Sequence, residues 1–162
     1  MNWPYIHTIV NHFPIILSVV GTTVLLLALI TKRRSVWLYA LATLTLAGLS
    51  AYPAFYTGDA ASHALRDTWY IVRPMVREHD AAAAFALTAL LLIGVVSAYA
   101  WWRMLRGGDS LPPVWLRVVV AVITLWGLSV VIRTAYLGGL IVHESPRLAS
   151  PPAGFQPDTS KR

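Results

Sequence analysis

Apolar residues gather in this chain into four long runs, and the polar residues between them form short, charge-rich clusters. The runs cover about 8–31, 35–56, 80–102 and 114–142. A helix rising about 1.5 Å per residue crosses about 30 Å of hydrocarbon in roughly 20 residues, and each run is long enough. The pattern predicts an all-α integral membrane protein, an up-down four-helix bundle over 1–143. A proline-rich tail over 144–162, on the extracytoplasmic side, is expected to have no structure of its own. No internal repeat is present.

Prolines and glycines punctuate the runs. Pro14 removes a backbone hydrogen bond and biases Phe13 away from helix, so a kink is expected close to His12. Pro53 lies at a comparable depth in the second run, and Pro74 suits the first helical position of the third. The intervening segment 57–79 mixes both charge signs with Trp69 and Tyr70, a composition suited to an amphipathic stretch lying in the interface. Trp101 and Trp102 end the third run as an aromatic belt. Gly21, Gly48, Gly94 and Gly127 fall near the middle of each run, where small residues let helices approach closely or leave space beside a flat cofactor.

Composition agrees with a membrane class. Of 162 residues, 57% are hydrophobic and 12% charged, and the mean hydropathy of +0.61 lies outside the range of soluble domains. The net charge of +6 does not point to nucleic acid, because the basic residues collect at helix ends. Lys32, Arg33 and Arg34 separate runs one and two, Arg103 and Arg106 follow run three, and Arg117 lies just inside run four. Arg66, Arg73 and Arg77 are spread more thinly over the opposite side. The positive-inside rule then places both termini outside, which for a bacterial inner membrane means the periplasm. The opening MNWPYIH has neither a basic n-region nor a small-residue cleavage site, so a removed signal peptide is not expected. The absence of cysteine excludes disulfides, thiolate metal sites, iron–sulfur clusters and thioether-linked haem.

The candidate chemistry lies in the histidines, all five of which thread to the same outer face. Imidazoles at membrane depth are expensive unless something binds them. A b-type haem needs two axial nitrogens from helices on opposite sides of the ring. Helices pack about 8–10 Å apart, so diagonal helices in a bundle lie roughly 12–14 Å apart, enough for two imidazoles and an iron. Runs one and three are diagonal partners. His12 and His79 fall at similar depth and form the first expected pair, with Ala81, Ala82, Ala83 and Ala84 leaving space beside the second. His7 precedes His12 by five residues, which rotates it about 140° and raises it about 7.5 Å, so the two do not share one iron. His7 with His143 forms a shallower second pair, giving one haem b or two. Arg133, in the outer half of run four, has Glu78 and Asp80 as the nearest carboxylates in the threading and suits a haem propionate, with Tyr136 and Tyr56 as hydrogen-bond donors. His63, in the polar segment, fits a solvated role. A zinc or copper site would instead draw on three histidines with Asp59, Glu78 or Asp80.

His7, His12-Phe13-Pro14 and the apolar run after them resemble a bacterial family of small four-helix integral membrane proteins, cytochrome b-like in character. The resemblance continues through Thr57-Gly58-Asp59-Ala60 and His79, and ends with the GGLIV stretch from Gly138. Thr8 stands where family members often carry proline after the first histidine, and His143 where they often carry tyrosine. The resemblance implies membrane electron transfer. The residues themselves predict a b-type cytochrome subunit of a larger redox complex. Its partners would be lipid, other subunits, a quinone and a c-type cytochrome, with Trp69 and Tyr70 as walls of a quinone pocket. The other class compatible with the sequence is a cofactor-free structural subunit.

Overall fold

Pro14 has no N–H to offer the carbonyl of Val10, and the first crossing breaks there. In the computed structural model, which describes residues 1–107 and 111–150, this crossing is made by α1 (Trp3–Val10) and α2 (His12–Thr31) with Asn11 between them. It begins earlier than the apolar run, because Asn2 caps it: its side-chain oxygen accepts the N–H of Tyr5, and proline occupies the first turn. Lys32 closes α2 in the left-handed conformation at φ 53°, with its N–H on the carbonyl of Ala28. The chain then turns directly into α3 (Arg34–Ala64), so α2 and α3 pack as antiparallel neighbours. Next come α4 (Arg73–Gly107), α5 (Val114–His143) and the short α6 (Ser145–Leu148). No strand occurs among the described residues.

Around the bundle, α3 packs between α2 and α4, α4 packs on α5, and α5 closes the ring against α2. The first crossing and α4 therefore stand on one diagonal, and α3 and α5 on the other. α1 leans on α3. Each of the four crossings is long and apolar enough to span a bilayer. Exposed Ile16, Leu49, Phe85, Val95, Val122 and Ile132 form the kind of surface that lipid covers.

Two expectations are corrected. Most of 57–79 is helix: α3 runs past Pro53 to Ala64 and α4 starts at Arg73, leaving only 65–72 as connection. Pro53 removes one hydrogen bond, but the alanine-rich stretch after it keeps the helix going. The beginning of the tail is also ordered. Ser145 is fully buried; its hydroxyl accepts the N–H of Val72 and donates to the carbonyl of Tyr70 at 3.1 Å, tying α6 to the α3–α4 connection. Residues 151–162 of the expected tail lie outside the described residues.

Bulk is distributed unevenly along the bundle. Trp37, Leu41, Leu44, Met104, Leu116 and Val120 fill its middle and the lysine- and arginine-rich end. Towards the histidine end the buried positions of α3 and α4 are mostly small: Ala51, Ala54, Thr57, Ala61, Ala82 and Ala86. At mid-depth Gly48 and Gly94 bring α3 and α4 into backbone contact. A Cβ added at Gly48 would sit 2.7 Å from the Cα of Gly94 and 2.7 Å from the carbonyl oxygen of Leu90.

Candidate functional site: two imidazoles across the bundle

His7, in the first crossing, turns its ring onto α3. Its Nδ1 lies 3.3 Å from the hydroxyl oxygen of Thr57. That hydroxyl has the carbonyls of Pro53 and Ala54 at 2.9 and 3.0 Å to receive its proton. With that proton on a carbonyl, the oxygen accepts from Nδ1–H and a neutral ring carries its lone pair on Nε2. Across the bundle, His79 of α4 turns its ring onto α5, with Nδ1 3.1 Å from the carbonyl oxygen of Thr134. A carbonyl only accepts, so Nδ1 carries the proton here too and Nε2 is again the basic nitrogen. Both histidines are half-buried.

Each ring lies against a glycine on the facing helix. A Cβ at Gly58 would meet Cε1 of His7 at 2.9 Å, and one at Gly138 would meet Cε1 of His79 at 3.1 Å. Two separate helix pairs, α1 with α3 and α4 with α5, thus repeat one device. An imidazole sits in a glycine notch, its Nδ1 is held by a threonine oxygen, and its Nε2 keeps a lone pair. Ring orientation fixed through the non-ligating nitrogen is the arrangement of metal-bound histidines.

His7 and His79 are the two histidines that are half-buried and turned onto a neighbouring helix. His12 is exposed, and its Nδ1 is bound to the carbonyl of Thr8 on the preceding turn. Five residues of helix separate it from His7 by about 140°, so an inward His7 leaves His12 facing out. His143 is exposed at the end of α5. His63 is exposed between two charged neighbours, accepting from Arg66 at 2.8 Å with Asp59 at 3.7 Å. Arg133 pairs with Glu78 at 3.8 Å, the side chains 68% and 59% exposed, a geometry worth little energetically. Tyr136 is 65% exposed. Among the described residues, no group of three or more histidine, cysteine, aspartate or glutamate side chains is placed to hold a metal ion, so the three-histidine zinc or copper site is not assembled.

Four residues of the site had no role assigned from the sequence: Thr57, Gly58, Thr134 and Gly138. The first two stand in the Thr-Gly-Asp-Ala motif and the last opens Gly138-Gly139, so small-residue pairs opposite histidines were the available signal. Thr134 contributes its backbone carbonyl, which no sequence feature marks. Comparison with known protein families, curated proteins and solved structures finds no match to this chain.

Proposed function

We propose that this protein is a b-type cytochrome subunit of a bacterial inner membrane, with His7 and His79 as the axial ligands of one haem near the periplasmic face. The observation that carries this is two half-buried imidazoles from diagonal helices, each with Nδ1 engaged and each in a glycine notch. The small buried side chains at that end of the bundle support it, since a flat macrocycle needs volume that large side chains would take. The resemblance of the histidine, Thr-Gly-Asp-Ala and Gly-Gly motifs to a cytochrome b-like membrane family points the same way.

Bound haem would supply a reversible one-electron change at iron. The chain's own part is to orient and to tune. Thr57 and the carbonyl of Thr134 hold the rings in one tautomer and make Nε2 more basic, which favours the oxidised state of a ligated metal. The apolar surround lowers the dielectric and opposes a net charge change. Arg133 and Tyr136 stand at the same end of the bundle, and a propionate would compete with Glu78 for the guanidinium. Electrons would pass between the quinone pool or a partner subunit and an extracytoplasmic acceptor such as a c-type cytochrome.

The test is the haem-to-protein ratio of the chain purified from cells, together with its reduced-minus-oxidised spectrum. A ratio near one with a b-type α-band is expected. A stable, folded protein without haem or α-band points to the alternative, a cofactor-free structural subunit.

A further inference from the structure

Three arginines line one cleft at the outer end of the bundle. Its volume is about 420 Å³, and its walls are Ser62 and Arg66 from the end of α3 and its connection, and Arg73, Val76, Arg77 and Asp80 from the start of α4. None of the three arginines has a carboxylate within ion-pair distance among the described residues. Arg66 donates to Nδ1 of His63 at 2.8 Å, and Arg73 to the carbonyl of Leu65 at 2.8 Å, both neutral acceptors. Asp80, the one acid in the walls, is approached instead by the Ser62 hydroxyl at 3.4 Å.

Helix polarity adds to the imbalance. Arg73 and Arg77 occupy the first turns of α4, a 35-residue helix with no acidic residue in its first turn. The positive end of a helix dipole favours anions and opposes cations. Positive side chains, a positive helix end and one carboxylate therefore leave the cleft with uncompensated positive charge. Guanidinium groups bind phosphate oxygens in bidentate fashion, and a helix N-terminus adds to that preference.

We propose that this cleft binds an oxyanion of the phosphate class, held by Arg66 and Arg77 with Arg73 fixing the wall. The site goes beyond the haem proposal and does not depend on it. Its position, at the level where the helices leave the apolar runs, allows two sources of the same chemistry: a phospholipid headgroup or a free phosphate.

The experiment uses the full chain in neutral detergent and two probes at matched ionic strength. Phosphatidylglycerol in mixed micelles is read by native mass spectrometry, and inorganic phosphate by calorimetric titration. At least one probe binds the wild-type protein. The double substitution Arg66→Gln with Arg77→Gln weakens that binding by about tenfold or more. Asp80→Asn removes the opposing carboxylate and strengthens it by about threefold, a gain that misfolding does not produce. Lipid binding that phosphate does not displace identifies the headgroup as the source; displacement by phosphate identifies the free anion. Failure of both probes to bind the wild-type chain, or affinities unchanged in both variants, overturns the proposal.

Discussion

At the scale of single residues, what distinguishes His7 and His79 from the other histidines is what holds them. Each ring has a fixed Nδ1 partner on the facing helix and a glycine where a side chain would intrude. Gly58→Ala and Gly138→Ala each place a methyl group against an imidazole carbon at 2.9 and 3.1 Å, closer than real Cβ contacts normally allow. Both are expected to lower haem content in a pyridine haemochrome assay. Gly139→Ala, with nothing within 4 Å of its Cβ, leaves haem content unchanged. The two threonines should behave differently despite their similar positions. Thr57→Val removes the oxygen that holds His7 and weakens haem retention by about 10- to 100-fold in a transfer assay to apomyoglobin. Thr134→Val keeps the backbone carbonyl that holds His79 and removes the hydroxyl's bond to the Ala82 carbonyl at 3.2 Å, so its effect is smaller.

At the scale of helices, the bundle depends on where backbones touch. Gly48→Ala drives a methyl group into the backbone of α4, which has no room to yield, and is expected to destabilise the protein by about 1–3 kcal/mol. Gly127→Ala meets the far end of the Ile93 side chain, which can change rotamer, so its effect is smaller. Thermal unfolding followed by helical circular dichroism in detergent ranks the two. The four crossings were legible because hydrocarbon selects long apolar runs. Helix that continues beyond the hydrocarbon was not, because hydropathy reports contact with lipid rather than backbone conformation. Residues 57–64 look like a polar loop yet extend α3, and the first crossing starts as early as Trp3, where Asn2 caps it. Those extensions raise the level at which the helices face one another. In the first crossing the half-buried histidine is His7, and a rotation of about 140° leaves His12 exposed. The ordering of Ser145 was similarly hidden, since it depends on backbone groups of the α3–α4 connection.

For the whole molecule, the two ends of the bundle differ in charge and chemistry. Lys32, Arg33, Arg34, Arg103 and Arg106 lie at one end, and the histidines, Asp59, Asp80 and the arginine cleft at the other. The orientation that follows from the positive-inside rule has a direct check, because the natural chain contains no cysteine. A cysteine replacing exposed Asp67 should react with a membrane-impermeant maleimide added to intact spheroplasts, whereas one replacing exposed Ser35 should react only after the membrane is opened. The one-sided placement also defines the central claim, that two imidazoles from diagonal helices meet on one iron. The reduced-minus-oxidised spectra of single histidine variants measure it most directly. Loss of the b-type α-band in both His7→Ala and His79→Ala, with the band retained in His12→Ala, His63→Ala and His143→Ala, is the predicted result. A band that survives in either of the first two variants, or vanishes with His12→Ala alone, contradicts it.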